Sequence, residues 1–140
     1  MSLLRRTLVT CLLACTWSTG HAQMPGKPLV EPEPVAIPAG VNQATVVKAI
    51  KRALIGRDWS LGKEQPGYIE GTLNVRKHMV KVGISYDAGK VTMKYLDSAE
   101  MGYREVGGKQ LIHPKYRNWT TNVMSDIGKD FQIEQLEAGR

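Results

Sequence analysis

Cysteine is confined to the first fifteen residues, where Cys11 and Cys15 are the only two in the chain. Once a leader containing them is removed no thiol remains, which excludes a disulfide framework, a zinc–thiolate centre and a cysteine nucleophile. Histidine is nearly as scarce: His21, His78 and His113 are all there are, and none belongs to a spacing such as H-E-x-x-H. Aromatic residues make up only 6% of the chain, with Phe131 the single phenylalanine, so the core must be built largely from aliphatic side chains. No apolar run approaches the ~20 residues that an ordinary membrane span requires.

What is present begins with an address. Residues 1–6 are a short cationic start, residues 8–14 an apolar run, and Gly20-His21-Ala22 before Gln23 ends in the small-x-small manner of a secretory cleavage site. The expectation is a signal peptide over residues 1–22 and a periplasmic product. Leu12-Leu13-Ala14-Cys15 also resembles a lipobox, which makes Cys15 the alternative lipidation site and a membrane-anchored lipoprotein the alternative form. Removal of Arg5 and Arg6 lowers the basic count from 19 to 17 against 13 acids and leaves a net charge of about +4. That excess suits lipid headgroups, acidic glycans or acidic proteins, and falls short of a dedicated nucleic-acid binder.

Five of the seven prolines fall between residues 24 and 40 (Pro25, Pro28, Pro32, Pro34 and Pro38), and the stretch lacks an apolar period. Residues 23–40 therefore read as a Pro-rich disordered tether. Residues 41–140 form a single domain of the smallest comfortable size. It opens with an amphipathic helix in which Val46, Val47, Ile50, Ala53 and Leu54 share one face and Lys48, Lys51 and Arg52 the other; Asn42 suits its N-cap and Gly56 its C′ position.

Segments of period two follow. A short strand over residues 57–63 leads into Gln65-Pro66-Gly67-Tyr68, suited to a type II turn. Ile69, Leu73 and Val75 then share a face, as do Val80, Val82, Ile84 and Tyr86 after a bend at Arg76-Lys77. The loop Asp87-Ala88-Gly89-Lys90 pairs Tyr86 with Val91 and brings Val91, Met93 and Tyr95 to the same side. Residues 97–112, interrupted by Gly102, Gly107 and Gly108, read as an irregular loop or a short edge strand. Pro114 suits the first turn of a closing helix whose stripe is Tyr116, Trp119 or Thr120, Val123, Ile127 and Phe131. The expected fold is α+β: a four-stranded antiparallel meander with an N-terminal and a C-terminal helix packed on one face, in the order α-β-β-β-β-α. Its other face carries Thr72, Asn74, Lys81, Ser85, Thr92 and Lys94, polar and basic, without aromatics to stack on bases.

Arg57-Asp58-Trp59, the run from His78 to Tyr86, Tyr95-Leu96-Asp97-Ser98 and above all Ile112-His113-Pro114-Lys115-Tyr116-Arg117-Asn118-Trp119 resemble a group of small proteobacterial exported proteins, many of them labelled lipoproteins and without an assigned activity. The resemblance spans nearly the whole domain. It implies an exported single domain and carries over no substrate, cofactor or catalytic residue.

Chemistry must be weighed residue by residue. Ser98, Asp97 and His113 supply the residue types of a hydrolytic triad without a nucleophile-elbow sequence. Asp97 and Glu100 are a carboxylate pair, but glycoside cleavage needs a deep cleft that a domain of this size is ill placed to build. Gly107-Gly108-Lys109 lacks the spacing of a phosphate loop. No catalytic residue, metal site or cofactor is assigned. The leading expectation is a noncatalytic cell-envelope module that binds a protein partner or an anionic lipid or glycan, with Lys81, Lys94, Tyr103, Arg104, His113, Tyr116 and Trp119 as binding candidates and nucleic acid not expected. The alternatives are a small hydrolase of cell-wall or glycan material centred on His113, and a carrier of a small apolar ligand between sheet and helices.

Overall fold

The computed structural model describes residues 25–140. The expected signal peptide over residues 1–22 and the lipidation candidate Cys15 lie outside the described residues. The elements run β1 (Lys27–Pro28), β2 (Val35–Ala36), α1 (Gln43–Gly56), β3 (Trp59–Gln65), β4 (Tyr68–Val75), β5 (His78–Tyr86), β6 (Lys90–Ala99), β7 (Arg104–Val106), β8 (Lys109–Ile112) and α2 (Lys115–Ala138). Among the described residues the class is α+β, with two helices and antiparallel sheets, and eight strands in two sheets replace the expected four-stranded meander: five in the order β2-β6-β5-β4-β3 and three in the order β1-β8-β7.

α1 forms where its apolar period places it, burying Val46, Ala49, Ile50, Ala53 and Leu54, and the Asn42 side chain caps it by accepting from Thr45 N–H at 2.8 Å. Its end differs from expectation. Gly56 stays helical, and Asp58 takes the left-handed conformation (φ 63°) that turns the chain into β3. An aspartate tolerates that region better than most side chains. The first strand accordingly starts at Trp59, two residues later than expected, with Trp59 buried opposite Leu73.

The three following strands keep the expected alternation. Ile69, Leu73, Val80, Val82, Ile84, Val91 and Met93 are buried on the helix side, and Tyr86 pairs with Val91. Each such burial contributes about 1.5–3 kcal/mol. Asp87 tightens the connecting loop because its Oδ1 accepts from Gly89 and Lys90 N–H, which also lowers its pKa. A bulge between Lys81 and Val82 makes Leu96 the extra residue of β6. Asp97 then stands opposite Lys81 on the open face, while Tyr95 stands opposite Val82 on the helix side.

α2 begins one residue after Pro114, which is its N-cap. Its buried stripe is Tyr116, Thr120, Val123, Met124, Ile127 and Phe131; Thr120 takes the inner position and Trp119 lies at the rim. The buried Thr120 hydroxyl is satisfied within the helix by donating to the Tyr116 carbonyl at 2.9 Å. Arg57 clamps the two helices, reaching both carboxylate oxygens of Asp126 at 2.7 and 3.1 Å. Arg52, on the face opposite the apolar one, approaches Asp130 and Glu134.

The Pro-rich segment is not a disordered tether. From residue 25 onward it is a strap laid along both sheets: β1 pairs with β8, β2 pairs with β6, and Leu29 and Ile37 N–H donate to Gln110 and Gly89 carbonyls, both at 2.8 Å. Proline removes donors but holds the chain extended, the shape needed to lie along an edge. Pro32 is buried, and Leu29, Val35 and Ile37 pack against the core. Of the two readings of residues 97–112, the short edge strand is the one met, by β7 at the edge of the smaller sheet. β6 runs on to Ala99, and Gly107 and Gly108, with φ of 57° and 76°, form the two-residue turn of a hairpin joining β7 to β8.

Candidate functional site

The seven binding candidates divide between the two sides of the larger sheet. Lys81 and Lys94 stand on the open face, Lys94 opposite Gly83 and Lys81 opposite Thr72. Tyr103, Arg104, His113, Tyr116 and Trp119 are on the other side, around the strap and the start of α2. They do not form one site.

On the open face the central arrangement is Tyr68, Glu70 and Lys81. Lys81 Nζ lies 3.2 Å from Glu70 Oε2, and Tyr68 Oη donates to Glu70 Oε1 at 3.0 Å. Together with Lys63, these contacts hold the Glu70 carboxyl below its usual range, Lys81 contributing most. Burial, followed by Glu70, pushes the Tyr68 phenol up. The Tyr68 ring leans diagonally across the sheet onto Gly83, where a Cβ would fall 2.6 Å from its hydroxyl. Gly83 is thus the seat of the ring. The sequence reading placed Tyr68 in the turn and found no aromatic on this face; as the first residue of β4, opposite Ser85, Tyr68 lies there.

On the helix side, Glu31 of the strap is the hub. Its Oε2 accepts from Tyr116 Oη at 2.8 Å and its Oε1 from Tyr95 N–H at 2.9 Å, so a carboxylate satisfies an edge amide of β6. Burial and the adjacent carboxylate push the Tyr116 phenol far up, which keeps it a neutral donor. Tyr95 stacks on Tyr103 at 4.8 Å and meets Tyr116 edge-on at 5.8 Å; burial pushes its phenol up as well. Arg104 donates to the Gly102 carbonyl at 3.0 Å and lies against Gly26, whose missing side chain leaves room for the guanidinium. Tyr116, the Tyr95 amide and Arg104 fasten the strap.

His113 and Trp119 flank His78. The two imidazoles lie 5.5 Å apart, and His78 lies 6.4 Å from the indole. His113 also lines a cleft of about 460 Å³ between the strap and the first turn of α2, with Lys27, Pro28, Val30, Ile112 and Arg117 among its walls. Burial, then His78 and Lys115, lowers the His113 pKa.

The triad residues are not assembled. Ser98 Oγ is bonded to Tyr95 Oη at 2.8 Å, Asp97 Oδ1 accepts from Ser98 N–H and belongs to the opposite face, and His113 Nδ1 accepts from Lys115 N–H. Among the described residues no three His, Cys, Asp or Glu side chains are grouped to hold a metal ion. No helix among them is long and apolar enough to cross a membrane.

Sequence reasoning missed Glu31, Tyr68 and His78 as organising residues. For Tyr68 a signal existed, because extending the alternation of Ile69, Leu73 and Val75 back by one position puts it with Glu70 and Thr72. Glu31 carried none, since its partners lie 64 and 85 residues away. Comparison with protein-family models, with curated protein sequences and with solved structures finds no match to the chain.

Proposed function

We propose that the protein is a noncatalytic module of the cell envelope that binds an anionic glycan on the open face of its five-stranded sheet. The observation that carries this reading is Tyr68 laid over Gly83, with Glu70 and Lys81 bonded beside it and Lys94 opposite Gly83. An aromatic ring offers apolar surface to a sugar ring, and the surrounding hydroxyls and amide of Thr72, Asn74, Ser85 and Thr92 offer donors and acceptors. Lys81 and Lys94, with Lys63 nearby, supply the attraction for acidic substituents. The leader-like N-terminus and the resemblance to exported proteins support a periplasmic setting.

Sedimentation with isolated cell-wall sacculi, and with an acidic and a neutral soluble polysaccharide, tests the reading. Retention is expected on the sacculi and the acidic polymer, weakening with salt, and lost in Tyr68→Ala and in the Lys81→Ala/Lys94→Ala double variant. Equal retention of those variants and the unaltered protein would overturn it. So would one discrete protein adduct from a photo-crosslinker at position 94, which would favour a protein partner.

A further inference from the structure

The start of α2 lacks an ordinary cap, because Pro114 has no side-chain acceptor. The first helical amide, Lys115 N–H, donates instead to Nδ1 of His113 at 3.1 Å. A ring nitrogen that accepts carries no proton, so His113 is neutral and bears its single proton on Nε2. His78 has the complementary tautomer. Its Nδ1 lies 2.6 Å from the Glu100 carbonyl oxygen, which can only accept.

We propose that His113 is a proton-operated cap: neutral, it fastens the first turn of α2 and the adjoining wall of the cleft; protonated, it releases Lys115 and sets a cation in that wall. A proton can add only at Nδ1, the atom that accepts the Lys115 bond, so capping and protonation exclude one another. Nothing in this inference rests on binding at the open sheet face.

The surroundings decide where the switch operates. His78 faces His113 from β5, Lys115 and Arg117 belong to the first turn of α2, and Lys27 of β1 shares the cleft. Glu100 gives its carbonyl to His78, and Met101 accepts the His113 backbone N–H at 2.8 Å. Burial, then His78 and Lys115, favour the neutral ring, and the positive end of the helix adds to the cost of an imidazolium. The folded pKa is therefore below the ordinary 6.5. Stability owed to neutral His113 is complete above that value and is lost as pH falls from it to the folded value.

Nitrogen-15 NMR of the full-length protein, titrated from about pH 7.5 to about pH 4.5, tests the proposal. At the upper limit His113 should show the Nε2–H tautomer and His78 the Nδ1–H tautomer. On acidification the Lys115 amide should follow the His113 titration, its protection falling roughly fivefold after correction for intrinsic exchange, the factor that one ordinary hydrogen bond represents. His113→Asn keeps a side-chain acceptor without a titrating ring, so it should retain protection and lose the step. His78→Gln should raise the His113 midpoint, because His78 is one of the groups that lower it. A His113 Nδ1–H tautomer near neutrality, or a Lys115 amide indifferent to the His113 titration, would overturn the assignment.

Discussion

Replacing Glu31 by alanine removes the acceptor of two hydrogen bonds in one step. Tyr116 belongs to the buried stripe of α2, so its hydroxyl loses its partner where water has little access. Tyr95 N–H loses its partner at the edge of β6. Each orphaned donor costs about 1–3 kcal/mol, and the pair is expected to cost ~3 kcal/mol. The strap can also peel away and rehydrate Tyr95, so the loss is limited by its own docking energy, to which Leu29, Val35 and Ile37 contribute. Against a typical domain stability of ~5–15 kcal/mol this is a large fraction. Urea unfolding followed by tryptophan emission is the assay, since Trp59 is buried and Trp119 sits at the rim. With a slope of about 1.5 kcal/mol/M, the midpoint should fall by roughly 2 M. Glu31→Gln keeps one acceptor and is expected to lose about 1 kcal/mol. Glu33→Ala, two residues on and exposed, is expected to stay within ~0.5 kcal/mol of the unaltered protein. If Glu31→Ala unfolds at the same urea concentration as Glu33→Ala, the carboxylate does not fasten the strap and the reasoning fails.

Three further outcomes are expected. Gly71→Ala sets a Cβ 2.8 Å from Leu54 Cδ2, so it should cost about 1–3 kcal/mol, part of which Leu54→Ala in the same chain should relieve; additive denaturation energies would contradict that contact. Thr120→Val exchanges a buried hydroxyl bonded only to backbone carbonyls of its own helix for a methyl of like shape, and the melting temperature should move by no more than a few degrees. Arg57 holds the Asp126 carboxyl below 3.8, so this pair adds stability above that value and loses it as pH falls through the lower folded value. Arg57→Gln should narrow its difference from the unaltered protein over that acid interval, and a constant difference from neutral pH down to pH ~2 would contradict the pairing.

Much of the larger sheet is legible in the sequence, for physical reasons that are local. The face of α1 follows from Val46, Ile50, Ala53 and Leu54 at helical spacing, and the register of β5 with β6 follows from the loop at Asp87. Both signals lie within a few residues of what they determine. The strap is not legible because the segment shows no apolar period, yet Leu29, Val35 and Ile37 between its prolines pack against the core. The short edge strand is foreseen in β7 but its pairing with β8 is not, although Gly107-Gly108 between Val106 and Lys109 is the composition of a two-residue turn. The bulge at Lys81 and Val82 has no marker in sequence, yet it decides which face each of the neighbours Asp97 and Ser98 takes, setting Asp97 on the open face opposite Lys81. Of the site candidates, Lys81 and Lys94 lie on the open face as expected, whereas Tyr116 is bonded to Glu31 of the strap and Arg104 lies against Gly26.

The Glu31–Tyr116 bond joins residues 85 positions apart, with nearly the whole domain between them. A chain that emerges from its N-terminus presents the strap first and Tyr116 long afterwards. Until α2 is laid down, Glu31 has no Tyr116 hydroxyl to accept from. The strap's full set of contacts is therefore complete only once the chain has reached its final helix.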